Sequence, residues 1–293
     1  MIRNQLAPVI IFAYNRPDKL NNLLESLSKN KELNSSNLYF YIDHYKNKED
    51  LKSNQEVIEI AKEFDKANTI SVITSNSNLG LKENILRGVN ETFEKYNEGI
   101  FLEDDLVVSD YFLKYMNSSL NIYKENKKIF HISGYNTPNF SGDIESSYFT
   151  YYMSCWGWAT WKNRWDQNKN FQNNLISKQN KFKRAKFNIY GFEKDFESQL
   201  INNEKKLINT WAIYWSQFIF LSNGYCLNPI KSLVKNTGAD GSGIHQGITS
   251  AYEVDVNNNE IKNFPKNIRF KTKNKLKTIY FYYKKTKTKK INF

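Results

Sequence analysis

The sequence predicts an α/β fold, a mostly parallel sheet covered by helices on both faces. Short apolar runs recur with amphipathic helical stretches between them, at the spacing of βαβ units, and several runs end in polar or acidic residues. The 293 residues are 40% hydrophobic and 15% aromatic, enough for a sizeable core and too apolar for a disordered chain or a disulfide scaffold.

The first run, 8–14 (PVIIFAY), reads as a buried strand. Pro17 then suits an early helical position, and Leu20, Leu23, Leu24 and Leu27 form one apolar face. A second strand, 38–43 (LYFYID), ends in Asp43; Val57, Ile58, Ala61 and Phe64 mark the next helix and 69–74 (TISVIT) the third strand. Leu81, Ile85, Val89 and Phe93 recur every four residues, with Glu83 and Arg87 as an expected supporting pair. The fourth strand, 99–105 (GIFLEDD), runs into three acids. In parallel sheets, ligands bind beyond the carboxyl ends of the strands, so Tyr14 to Arg16, Asp43 and Glu103 to Asp105 are expected to share one crevice.

The second half is less regular. A helix is expected after Asp110, with Phe112, Tyr115, Met116, Leu120 and Tyr123 on one side, then a strand over 129–135. A turn-rich stretch (136–147), an aromatic block (148–165) and a lysine-rich connection to about 190 follow, with helices near 191–205 and 210–222 and a glycine-rich loop over 235–247. No repeat or linker divides the chain. The expected division is one domain over 1–265, with a nucleotide-binding half (1–135) and an acceptor-side half (136–265), plus a basic, aromatic tail over 266–293.

The formal charge of +12 sits in that tail, which holds eleven basic residues and no acid; the remaining 265 residues carry 31 basic against 30 acidic side chains. A globally basic nucleic-acid-binding domain is therefore disfavoured, and no nucleic-acid partner is expected. Leu276, Ile279, Tyr280, Phe281, Tyr282 and Tyr283 interleave with the lysines, a pattern suited to an anionic membrane surface; a solvated, frayed terminus is the plainer alternative. Mean hydropathy is −0.66, and the longest apolar segment, 211–221, is interrupted by Ser216 and Gln217, so no spanning helix is expected. The first apolar run reads as a strand and not a signal peptide, which predicts a cytoplasmic chain, peripheral on the inner membrane face where the tail attaches. Cys155 and Cys226 allow a disulfide, although two thiols in apolar surroundings fit better. No Cys/His spacing suits zinc.

The chemistry is concentrated in Glu103, Asp104 and Asp105. Adjacent acids at the end of a buried strand repel one another unless hydrogen bonds or a cation neutralise them, and oxygen-only ligands select hard cations such as Mg²⁺ or Mn²⁺. The competing reading is a polar turn that caps the next helix.

FAYNRPDKL, the aspartate after the second strand, SNLGLKENI and above all FLEDDLVVSDYF resemble GT-A-fold glycosyltransferases, in the group of N-acetylglucosaminyltransferase I and many bacterial sugar transferases. WGWATWKNRW and NPIKSLVKNTGADGSGIH resemble segments of bacterial members, so the resemblance spans about 7–247. It implies a metal-dependent, inverting transfer of a hexosyl or N-acetylhexosaminyl unit from a nucleotide-sugar, a UDP-sugar, to a glycan or lipid-linked cell-envelope acceptor. Asp105 would then ligate the Mn²⁺ or Mg²⁺, Asp104 and Glu103 would hold ribose and donor sugar, and Asp43 would bind the nucleobase. Tyr14, Arg16 and Lys82 would lie near base or phosphate, with ordinary surface charge as the alternative for the two cations. A nucleotidyltransferase, which would need a glycine-rich basic loop after the first strand, and a non-catalytic glycan- or membrane-binding module are the competing functions.

Three further features stay open at this stage. Gly238, Gly241 and Gly243 do not follow a strand as a dinucleotide fingerprint requires, but glycines admit an anion close to backbone amides. His245 beside them would contact the diphosphate or metal, or simply belong to a turn. In the aromatic block, Trp156, Trp158 and Trp161 offer faces for an acceptor sugar, while most such rings are expected in the core. Related enzymes carry the general base at the start of the helix that here reads Asn209-Thr210-Trp211, where no acid is present. Asp195 and Asp240 are the base candidates.

Overall fold

A computed structural model describes residues 6–137, 140–168, 171–193, 195–240 and 250–291, with side chains described as far as residue 285. The first half alternates as expected: β1 (Val9–Ala13), α1 (Pro17–Leu27), β2 (Asn37–Ile42), α2 (Lys48–Glu63), β3 (Thr69–Thr74), α3 (Leu81–Lys95) and β4 (Glu98–Glu103). Next come β5 (Leu106–Val108), α4 (Phe112–Tyr123), β6 (Ile129–Ser133), β7 (Ser147–Thr150), β8 (Trp158–Trp161), α5 (Lys162–Trp165), α6 (Lys181–Phe187), α7 (Asp195–Glu204), α8 (Ala212–Leu221), β9 (Tyr225–Pro229), β10 (Val234–Asn236) and α9 (Thr272–Ile291).

The main sheet has the order β3-β2-β1-β4-β8-β6-β9-β7. Its first four strands are parallel, and β6 pairs parallel with β9. Antiparallel β8 is inserted between β4 and β6, with Trp158 opposite Phe101, and antiparallel β7 closes the far edge. β1 is central and covered on both faces, so the alternation of its side chains divides the core in two. Val9 and Ile11 pack with the leucines of α1 and with α4; Ile10 and Phe12 pack with Ile85, Val89 and Phe93 of α3 and with Trp215 of α8.

Several local expectations are corrected. Arg87 does not pair with Glu83; it reaches forward to Glu91 at 2.8 Å and to the Ser75 hydroxyl. Strands β5, β7, β8, β9 and β10 lie where no strand was expected, and α6 forms within the lysine-rich connection. Those strands are three to five residues long and owe their pairing to distant partners, which no local pattern reveals. Both cysteines are free thiols. No helix is long and apolar enough among the described residues to cross a membrane.

His131 of β6 is fully buried. Trp215 Nε1 donates to its Nδ1 at 3.2 Å, and the ring's other nitrogen lies 2.9 Å from the carbonyl of Ser154. Burial outweighs the latter contact and pushes its pKa down to about 3. In the unfolded chain the imidazole takes up a proton near pH 6.5, while the folded chain resists doing so, and stability therefore drains away as pH falls below 6.5. Between pH 7 and pH 5 this group is expected to cost about 2 kcal/mol. Urea denaturation of wild type and His131→Gln at both pH values checks it: the variant should lose that much less on acidification.

Candidate active site

Three strand ends set the site. Asp43 continues β2 by donating its amide to the carbonyl of Ala13 at 3.0 Å, and Asp104 continues β4 by donating to the carbonyl of Phe12 at 3.0 Å. Asp43 and the acidic run thus flank the carboxyl end of β1, where Tyr14, Asn15 and Arg16 leave the sheet.

Arg16 stands at the start of α1 and bridges the acids. Its Nη1 lies 3.1 Å from Asp105 Oδ2, and its Nη2 donates to Asp104 Oδ1. Asp104 and Asp105 are only 2% and 7% exposed, so solvent does little to screen them. Burial raises the Asp104 pKa to about 6 against the opposing pull of Arg16. Glu103 is pushed above the usual carboxylate range by burial first and then by Asp105 and Asp104. Burial works against the Arg16 charge, yet the two aspartates more than offset it and hold its pKa up. One arginine thus compensates part of a three-carboxyl cluster; the Tyr14 backbone adds a weaker favourable contact to Asp104, and among the described residues no hydrogen bond reaches the buried Asp104 Oδ2.

Asp105 also anchors the end of β10. Thr237 donates its amide (2.8 Å) and its hydroxyl (2.9 Å) to the Asp105 carbonyl, and Asn236 Nδ2 approaches Oδ1 at 3.3 Å. Gly238 follows so closely that a Cβ there would sit 2.2 Å from Asp105 Oδ2. Lys19, one turn into α1, donates to the Thr237 carbonyl at 2.7 Å and to Asp240 Oδ2 at 2.6 Å. Lys19, Asn236 and Thr237 have no role in the sequence reading. Lys19 lies inside the quoted PDKL segment, but only tertiary contact gives it a partner 218 residues away.

Asp43 spends all four carboxylate lone pairs on protein donors: the amides of His44, Leu79 and Gly80 and the Asn78 side chain. It therefore fixes the turn before α3, where Gly80 adopts φ 79°. The Tyr14 hydroxyl donates to Asp50 at 2.7 Å, and burial and that bond raise its pKa to about 12. Lys82 is buried, donates to the carbonyl of Phe171 at 3.0 Å and lies 5.1 Å from the Tyr214 ring; burial lowers its pKa. It is no surface charge.

Trp156 is half-buried, edge-on to Tyr135 at 4.5 Å and Tyr252 at 5.8 Å. Trp158 is only 2% exposed and stacks on Phe101 and Trp211, which corrects its expected place on an acceptor surface: it is core. Trp161 is buried likewise. Asp195 opens α7 and faces Lys285 of α9 at 3.7 Å. His245, with Gly241 and Gly243, lies outside the described residues.

Among the described residues no three His, Cys, Asp or Glu side chains converge as a metal site. A hard cation bound with a substrate needs only one or two carboxylates, because phosphate oxygens and water complete its shell. Asp105, together with the unpartnered Oδ2 of Asp104, fits that requirement.

No protein-family model and no curated protein matches the chain. Solved structures do match. The TarS 1–349 fragment of S. aureus aligns with a TM-score of 0.47 and 13% identity over 80% of this chain; this chain spans only 62% of that one. The galactosyltransferase LgtC, solved in complex with donor and acceptor sugar analogues, aligns with a TM-score of 0.37 and 10% identity over 72% of this chain and 70% of its own. The sheet is α/β with a parallel half, and the acidic run leaves β4 at its carboxyl end. The site's own residues carry the functional reading.

Proposed function

We propose that this chain is a glycosyltransferase that moves a sugar from a nucleotide donor, a UDP-sugar, to a glycan or lipid-linked acceptor. One observation carries the reading. Asp104 and Asp105 leave a buried strand, share a single arginine, and among the described residues keep one carboxylate oxygen without a hydrogen bond. A buried charge without full compensation is costly, and its persistence marks a place where a ligand completes the charge balance.

In this reading Asp105 would hold Mg²⁺ or Mn²⁺ beside Asp104, and the bound ion would stabilise charge on the departing diphosphate. Arg16 keeps both aspartates aligned. Asp43 acts through the turn it ties down, which positions the start of α3 beside the donor crevice. Glu103 and Asp104 face the donor's ribose and sugar, and Trp156 lines the acceptor side. Of the two base candidates, Asp240 is the better placed, because Lys19 connects it to Thr237 and hence to Asp105. Asp195 instead faces Lys285 of α9.

The test is turnover of a panel of nucleotide-sugars with Mn²⁺, read as release of nucleoside diphosphate. Pyrophosphate release would instead indicate a nucleotidyltransferase, and glycan binding without turnover a binding module. Donor binding has its own readout: at a donor concentration 100 times its Kd, stabilisation of about 2.7 kcal/mol is expected, seen as a thermal shift that requires the metal. Asp105→Ala is expected to lose that shift. A variant that keeps it would remove the ligand role of Asp105.

A further inference from the structure

As far as Lys285 the basic C-terminal segment docks on the protein, and that docking sorts its aromatic residues into two groups. One side of α9 is fastened to the protein. Asn274 and Thr278 are buried, Lys277 donates to the Ser141 carbonyl, and Lys275 lies 4.3 Å over the Tyr190 ring. Phe281 packs 5.9 Å from Tyr252 and Tyr282 6.3 Å from Phe196. Lys285 closes the dock: its Nζ is 2.6 Å from Glu193 Oε2 and donates to the Tyr252 hydroxyl. That ion pair is largely out of water, with side-chain exposures of 10% and 4%.

The other side faces outward, although the Tyr283 ring also meets the edge of Phe192 at 5.7 Å. Leu276, Tyr280 and Tyr283 recur at i, i+4 and i+7, the spacing of a single helical face, and are 60%, 55% and 37% exposed. Lys273 and Lys284 border this stripe, and Lys266, Arg269 and Lys271 lie exposed just before it. Lys284 sits 4.9 Å over the Tyr280 ring. No acid occurs anywhere from 266 to 293.

We infer that the outward face of α9 is a docking surface for an anionic bilayer leaflet. Leu276, Tyr280 and Tyr283 enter the headgroup boundary, and the bordering cations meet lipid phosphates. Charge complementarity selects this occupant. A second copy of the face would bring cations against cations, and a nucleic-acid strand would use the lysines but has no need of Leu276. Aromatic tips beside lysines and an aliphatic anchor are what an interfacial helix presents, and each near-surface cation adds to the attraction. Because Lys285 and the Phe281–Tyr282 pair clamp the opposite side, the helix presents this stripe without having to fold on the membrane. The surface extends the transferase reading and does not depend on it.

The division of labour within one helix makes the test specific. Full-length protein is sedimented with phosphatidylcholine vesicles, with and without phosphatidylglycerol, at low and high salt. Binding is expected only with phosphatidylglycerol and should weaken with salt. Leu276→Ser/Tyr280→Ser is expected to lower partitioning about tenfold or more at unchanged Tm. Lys271→Glu/Lys273→Glu/Lys284→Glu should abolish binding. Phe281→Ser should instead lower Tm while leaving the partitioning of the folded protein unchanged. Wild-type partitioning by the stripe variant, equal binding to neutral vesicles, stripe-dependent self-association, or RNA binding in place of vesicle binding would each overturn the inference. The stripe variant's donor-induced thermal shift reports the transferase site separately.

Discussion

Arg16→Met is expected to destabilise the protein by about 3 kcal/mol at pH 8, with less harm at pH 6. Removing one partner of a buried ion pair leaves the other's charge uncompensated, and here two aspartates lose the same guanidinium. The Arg16 side chain is 22% exposed, so water relieves part of the penalty and the lower end of the usual 3–5 kcal/mol range applies. The pH dependence has a definite sign. Burial already raises the pKa of Asp104 to about 6 and that of Glu103 above its ordinary value, and without Arg16 both rise further. Folded-state carboxyls with raised pKa values hold protons that the unfolded chain releases, so their instability grows as pH rises and eases as pH falls. Denaturation of wild type and variant at pH 6 and pH 8 measures the difference. A variant as stable as wild type at pH 8 would mean the acids do not depend on Arg16.

The second large effect is expected at Gly238. In Gly238→Ala the new methyl would meet Asp105 Oδ2 at 2.2 Å and Cγ at 3.0 Å. These atoms belong to a short side chain already held by Arg16 and Asn236, so either the carboxylate turns away or the end of β10 lifts off it. Displacements of about 1 Å in a reacting site can cost about 100-fold in rate. Sugar transfer, read as nucleoside diphosphate release, should fall by about that factor. Overpacking at one site costs about 1–3 kcal/mol, so the fold should survive. Gly191→Ala is the control: that glycine adopts φ 87°, where alanine is strained, but open space surrounds it. Its variant should lose about 1 kcal/mol and keep full turnover. Transfer at the wild-type rate in Gly238→Ala would detach Asp105 from the reaction.

Much of this fold is legible in the amino-acid sequence. The strand–helix alternation through Glu103 was readable because β1, β2 and β4 are buried runs and α1 and α3 carry one-sided apolar faces, patterns with a local period. The acids' place at the end of a buried strand followed from the same runs. The antiparallel insertion of β8 did not. Its four residues, WATW, read as well for an exposed aromatic wall as for a core strand, and only the pairing with β4 and β6 turned Trp158 inward.

The sequence by itself determined which residue types stand at the strand ends, and that the positive charge lies in the last 28 residues. Local periodicity and composition suffice for both. Tertiary structure alone decided what those groups meet. It set Arg16 between two aspartates, spent Asp43 on a turn, brought Gly238 to Asp105 and Lys19 to Thr237 and Asp240, and split α9 into a clamped side and an outward one. These are contacts between residues far apart along the chain, and they arise when packing brings two distant surfaces together, an event that no window of neighbouring residues records.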